Sequence, residues 1–196
     1  MKIPYRFAAA VLVVTSAPAH AGNRLMPAGT PAQIAGTPLS VTPPIDWNRL
    51  GLRPGKFAET WTLDGDRLNK VVFFSGVPAG SPLFREIDRK NRPLPTVSAA
   101  MLATDIPVLL ESSYRIVMDT ALFQVDAMAP ASVGGHDGLR FSYSYTRQND
   151  ELRRKGEGRA ALVGGKLYMM LYEAPALHFY DRNVEDFHKL ADTVKF

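Results

Sequence analysis

Past residue 21 the chain carries three histidines, His136, His178 and His188, and it has no cysteine at all. His178 and His188 bracket a stretch containing Asp181, Glu185 and Asp186, and histidine with carboxylate is a donor set that suits zinc or a similar ion. The spacing does not support it. Glu185 and His188 fall one helical turn apart, but His178 lies before the helix cap, and neither H-x-x-x-H nor H-E-x-x-H occurs. No metal site is expected. Nucleophilic chemistry fares similarly. Ser75 precedes Gly76 and Ser81 follows Gly80, yet there is no G-x-S-x-G elbow and no S-x-x-K pattern, so both serines read as turn residues. His136, just after Gly134-Gly135, reads as a turn histidine. Gly134-Gly135 and Gly164-Gly165 lie between strands, whereas a phosphate cradle needs a strand followed by a helix. No catalytic residue and no cofactor are therefore expected. Were the chain an enzyme with dispersed catalytic residues, His136, His178 and Asp181 would be the first to mutate.

Aromatic side chains are the richer signal. Trp61, Tyr143, Tyr145, Tyr168, Tyr172, Phe179 and Tyr180 could line a pocket or cover a sheet, and tyrosines in strands usually cover the sheet. The face carrying Tyr168 and Tyr172, near His178, Tyr180 and Arg182 and with Trp61, is the expected binding surface, because aromatic and arginine side chains dominate interface energetics. The charged runs Arg85–Arg92 and Arg147–Lys155 read as solvated loops.

These residues must be positioned by recognisable elements. Phe57–Leu63 alternates and is rich in strand formers, Asp64-Gly65 signals a hairpin, and Leu68–Phe74 returns. The end of that return strand is apolar on both faces, which a strand tolerates only when both are covered. Asp105 is placed to cap a helix with Pro107 in its first turn, and Leu109, Leu110, Ser113, Ile116 and Val117 share one face. A run of strands follows: Leu122–Ala127, then Leu139–Thr146, where Leu139, Phe141, Tyr143 and Tyr145 alternate with Arg140, Ser142, Ser144 and Thr146. Gln148–Glu157 reads as a charged loop leading to Arg159–Val163, and Gly164-Gly165 turns into Lys166–Tyr172, again apolar on both faces. Asn183 is the expected cap of a last helix that buries Val184, Phe187, Leu190, Ala191 and Val194. Two strands needing cover on both sides, and two helices to supply it, give an α+β fold: a mostly antiparallel sheet between helices, in three layers.

The N-terminus carries an address. Met1–Arg6 is a short positive segment, Phe7–Val14 an uncharged apolar run, and Ala19-His20-Ala21 has the A-x-A form read by a signal peptidase. The run is far shorter than the ~20 residues of a spanning helix. Cleavage after Ala21 is expected, giving a soluble periplasmic or secreted protein that no lipidated cysteine anchors and no disulfide staples. Residues 22–44 are rich in Ala, Pro, Gly and Thr and read as a flexible leader, with a single domain over 45–196. Hydrophobic content of 46% and charged content of 21% are ordinary for a globular chain. The formal charge falls from +4 to +2 when Lys2 and Arg6 leave with the signal. That field is too small, and too unpatterned, for a nucleic-acid partner.

The order of elements resembles the PsbP-like fold, which Mog-type Ran-binding proteins share. The residues that carry the resemblance are the strand with Trp61 and its Asp64-Gly65 turn, and Pro93-Leu94-Pro95 before a helix. Gly164-Gly165-Lys166-Leu167-Tyr168 and the Phe179 segment before the closing helix complete it, over about residues 39 to 196. The resemblance implies a small α/β/α sandwich that acts by binding, often as an accessory to a membrane or envelope complex, and it carries over no catalytic residue. The sequence thus leads to an exported, non-catalytic binding or accessory protein whose partner is an envelope protein or membrane-associated complex. The alternatives are an envelope enzyme with dispersed catalytic residues and a carrier of a small apolar ligand.

Overall fold

The computed structural model describes residues 22–196, so the export signal lies outside the described residues. Ten strands and two helices follow in chain order. They are β1 (Arg24–Met26), β2 (Ala32–Gln33), β3 (Ser40–Val41), β4 (Trp47–Arg49), β5 (Ala58–Thr62), β6 (Lys70–Pro78), α1 (Ile106–Val117), β7 (Thr120–Val133), β8 (His136–Arg147), β9 (Asp150–Val163), β10 (Lys166–Pro175) and α2 (Phe179–Asp192). Eight strands form one antiparallel sheet in the order β1-β4-β5-β6-β10-β9-β8-β7, and β2 and β3 pair separately.

Strand alternation divides the core in two. On β6 and β10, Val72, Phe74, Leu167, Met169 and Leu171 face one way, into a cluster with Ile106, Leu109, Leu110 and Tyr114 of α1. Val71, Phe73, Tyr168, Met170 and Tyr172 face the other, into a cluster with Phe187, Leu190 and Ala191 of α2. Each face of these central strands has its own helix, so the expected three-layer α+β arrangement is present. The long connection between β6 and α1 completes the α1 layer, burying Leu83, Phe84, Leu94 and Val97.

Four expectations need correction. The first is the leader. Residues 22–44 pack against the α2 layer: β1 pairs with β4, and Ile34, Leu39 and Val41 are fully buried. Turns at Pro27, Gly29 and Gly36 break the apolar period, so short buried segments read as a linker. The segment also reaches the far end of the chain, because Ser40 and Lys195 exchange two backbone hydrogen bonds of 2.8 and 3.0 Å.

The second is the Asp64-Gly65 turn. It lies inside a longer connection, Leu63–Asn69, organised by one side chain. The buried Asn69 Oδ1 accepts from the Leu63 and Asp64 amides at 2.8 and 3.2 Å, and its amide group donates to Asp64 Oδ2 at 2.8 Å. An asparagine that mimics backbone in this way is a known turn device.

The third is the charged loop, which shrinks to Gln148 and Asn149; Asp150 onward is strand. Sequence alternation is invisible there because the inward positions are glycines. Gly156 lies opposite Tyr143 and Gly158 opposite Phe141, and a Cβ at either would overlap the facing ring. The fourth is the closing helix, which begins at Phe179, so Asn183 lies inside its first turns, buried, with its Oδ1 3.4 Å from the Asn69 amide nitrogen. Its entry passes through His178 at φ 68° without a side-chain cap. The Tyr172 hydroxyl lies 3.1 Å from both the Phe179 and Tyr180 carbonyl oxygens and shares its one hydrogen between them.

Candidate functional site

The α1-facing layer holds a group that hydrophobic packing alone would exclude. Glu173, on β10, is buried among aromatics, with its side chain 1% exposed. Burying a carboxylate is costly unless donors surround it. Four do. Tyr114 of α1 and Tyr143 of β8 donate their hydroxyls to Oε1, the latter at 2.6 Å. Tyr145 donates to Oε2 at 3.0 Å, and the Lys70 ammonium lies 3.1 Å from the same oxygen. Each position follows from local structure. Tyr143 and Tyr145 are successive inward residues of β8, Tyr114 sits on the buried face of α1, and Lys70 is the register partner of Glu173 across β6 and β10.

The electrostatics follow from that geometry. Burial works against the charge of Glu173, but Lys70 and the tyrosyl donors outweigh it and hold the carboxyl below its ordinary value. Burial, and next the Glu173 charge, push Tyr114, Tyr143 and Tyr145 well above the usual phenol value. The phenols stay protonated and aimed at the carboxylate. None is free to act as a base.

Outside this cluster opens a polar cleft of about 410 Å³. Its lining comes from the β5–β6 connection (Asp66, Arg67), from the ends of β6, β8 and β10 (Lys70, Tyr145, Glu173, Ala174, Pro175) and from the β8–β9 turn region (Arg147, Asp150, Arg154). Arg154 is paired with Asp150 at 2.9 Å and also donates to the Leu152 carbonyl. Arg147 Nη2 lies 3.6 Å from the Met118 sulfur, a weak acceptor, while its buried Nε has no hydrogen-bond partner.

The residues expected to form a binding surface are only partly brought together. Trp61 is fully buried, its indole N–H donating to Glu59 Oε1 at 2.8 Å and its ring 4.9 Å from Phe73. Tyr172 is fully buried as well, and Tyr168 packs on Phe196 at the opposite end of β10. These are core residues of the α2 layer. His178, Tyr180 and Arg182 do gather at the start of α2. Tyr180 sits 5.5 Å from Tyr172 and beneath Lys155, whose Nζ is 5.4 Å from its ring centroid, and Arg182 lies 3.9 Å from Asp64.

The histidines are dispersed. His136 opens β8 beside Phe196, whereas His178 follows β10, at the other end of the sheet. They cannot share a site with Asp181. His188 is engaged by Glu157 at 2.9 Å and by Glu185 at 3.3 Å. No group of three or more potential metal ligands occurs among the described residues. Nor, among them, is any helix long and apolar enough to cross a membrane.

Sequence pattern does not single out Glu173, Lys70 or Tyr114, and it places Arg147 and Arg154 in a charged run that reads as a solvated loop. One signal was available. Glu173 is the single charge after six apolar residues in a strand read as buried on both faces, and Lys70 opens the other such strand. Opposite charges entering two neighbouring two-faced strands point to a cross-strand pair.

No family model matches the chain, and no curated protein matches it by sequence. Solved structures similar to it include the cyanobacterial PsbP of Synechocystis sp. PCC 6803, at 11% identity and a TM-score of 0.40 over 93% of this chain and 97% of that one. Another is LpqN of Mycobacterium tuberculosis, involved in cell envelope biogenesis, at 8% identity and a TM-score of 0.33 over 88% of this chain and 90% of that one. Likeness at this level concerns the fold alone, and neither protein's role is transferred from it.

Proposed function

We propose that the chain is an exported, non-catalytic binding protein that serves as an accessory to an envelope or membrane-associated complex. The observation that supports the binding reading is the closed network around Glu173. Its carboxylate is satisfied by donors, its three phenols are held protonated, and the cleft outside presents arginine and lysine donors, with Asp150 engaged by Arg154 and Asp66 on the rim. Such a site can hold a group and has little means to transform it. The export reading rests on the Met1–Ala21 segment, and the accessory role on the resemblance in the residue pattern. On this reading the exposed His178 and Arg182, with the half-buried Tyr180 and Lys155, form the accessible part of the partner surface. The packed 22–44 segment serves the fold itself.

The test is affinity capture from envelope extracts with the full-length protein as bait, comparing wild type with the variant Tyr180→Ala/Arg182→Ala. The reading expects a discrete partner captured by wild type and depleted with the variant. Absence of any partner, together with a hydrolytic activity that a point mutation abolishes, would overturn it.

A further inference from the structure

The cleft beside Glu173 has a surplus of hydrogen-bond donors. Its lining holds four cationic side chains, Arg67, Lys70, Arg147 and Arg154, and three anionic ones, Asp66, Asp150 and Glu173. Two of the carboxylates are committed within the lining, Glu173 to Lys70 and Asp150 to Arg154, which leaves Arg67 and Arg147 against Asp66. Glu173 takes four donors, three of them tyrosyl hydroxyls. Asp150 accepts from Arg154 at 2.9 Å and from the Leu152 amide at 3.0 Å. Arg147 and Arg67 make no ion pair with any described residue, and Asp66, on the exposed rim, is the one carboxylate left to oppose them.

Arg147 is the informative residue. A guanidinium presents five N–H donors in a fixed plane. Here the Nε is buried with no acceptor, and Nη2 faces only a thioether sulfur. A buried donor left unmade costs about 1–3 kcal/mol, and more for a charged group. Folded proteins seldom keep such a group without a use for it. Lys70 adds to the same wall: its ammonium has three donors, one of them spent on Glu173, and its side chain is 14% exposed. The cleft volume of about 410 Å³ falls in the range of small-molecule sites.

We infer that this cleft binds the oxyanion group of a small ligand, a carboxylate or a phosphate, with Arg147 as the principal donor and Arg67 and Lys70 beside it. Arginine is suited to this because its fork meets two oxygens of either group at once. Glu173 is a positioning residue. By occupying one donor of Lys70 and the three tyrosines it fixes the wall of the cleft, and its own charge is neutralised before a ligand arrives.

The inference names a ligand class for the binding reading above, but its test needs no partner, so the two can fail separately. Sodium phosphate, sodium succinate and sodium citrate are titrated calorimetrically into the purified mature protein at low ionic strength. A saturable one-site heat is expected with at least one of them. Phosphate alone assigns a phosphorylated ligand, succinate or citrate alone a carboxylic acid, and all three a compact oxyanion in general. Arg147→Met should weaken the binding about tenfold or more, the worth of a charged hydrogen bond, whereas Arg140→Met, an exposed residue on the other face of β8, should leave it unchanged. If Arg147→Met fails to fold by circular dichroism, the exposed Arg67→Gln takes its place, with a loss of about threefold expected at this more solvated position. No saturable heat with any of the three salts overturns the inference. So does equal affinity in the wild type and whichever of these cleft variants folds.

Discussion

Lys70 and Glu173 are register partners on β6 and β10, with Nζ 3.1 Å from Oε2; the lysine side chain keeps 14% of its surface exposed while the glutamate keeps 1%. The pair therefore spans the boundary between core and cleft, with the anion inside and the cation at the opening. Removing one member leaves the other in a different medium.

Lys70→Met should cost about 3–5 kcal/mol in urea unfolding, because it strands a buried carboxylate. Glu173→Gln should cost less, since Lys70 can turn into the cleft and hydrate. The double variant should lose less than the sum of the two single losses, by a coupling of about 1–3 kcal/mol. Strict additivity would show that the pair does not interact.

Acid should act through the same carboxyl. Glu173 has a folded-state value below its unfolded one, so its contribution is present above the unfolded value, about 4.3, and is lost as pH falls through the lower folded value. The urea midpoint of wild type should hold down to about pH 5 and decline below it. In Lys70→Met the counter-charge is gone while burial remains, so the folded-state value rises and the acid decline should shrink or reverse. A decline as large as that of wild type would argue against the assigned cause.

At the alkaline end the sign reverses. Tyr114, Tyr143 and Tyr145 are raised when folded, and Tyr180 is pushed up to about 12 by burial and then by the charge of Glu157. Their contribution is complete below the ordinary phenol value of about 10 and is lost as pH rises through the folded values. Tyrosinate absorbance should rise late, and the buried cluster should ionise only together with loss of near-ultraviolet dichroism.

Gly156 and Gly158 leave the space that the Tyr143 and Phe141 rings occupy. Gly156→Ala should destabilise by about 1–3 kcal/mol through overpacking. It should also shift Tyr143 away from Glu173, which the alkaline tyrosinate titration would register as an earlier step. Gly165→Ala, with open space around its Cβ position but φ at 72°, should leave that titration unmoved.

Ile34 tests the N-terminal segment. It is fully buried in the α2 layer, and the neighbouring Ala35 amide donates to the buried Glu59 at 2.9 Å. Ile34→Ala should cost about 2–5 kcal/mol, and limited proteolysis should then cut first between residues 22 and 44. A loss below about 0.5 kcal/mol would return the segment to the role of a loose leader.

The elements legible in the sequence were those whose burial follows a simple period. Leu139, Phe141, Tyr143 and Tyr145 give β8 its face, and the doubly apolar β6 and β10 give the third layer. Where the buried partner is a glycine, as in β9, or where turns interrupt the apolar spacing, as before Pro44, pattern carries nothing. The site was hidden for a different reason. Tyr114, Tyr143 and Tyr145 lie 59, 30 and 28 residues from Glu173 in sequence, and only the register of β8, β9 and β10, with α1 packed over them, brings their hydroxyls to one carboxylate. Trp61 and Tyr172 were conspicuous by type, yet their polar atoms are spent inside the core, on Glu59 and on the carbonyls that open α2.

The two bonds between Ser40 and Lys195 have a mechanical consequence. They tie the N-terminal segment to the residues after α2, so every strand of the main sheet from β4 to β10 lies within one closed loop of chain. Tension applied at the two ends would load the β1–β4 pair on one side and this single bridge on the other before the rest of the sheet. The same closure makes the domain a ring with a nick, in which a cut at the Gly164–Gly165 turn, with the old ends joined, would change the order of folding and leave the final architecture the same.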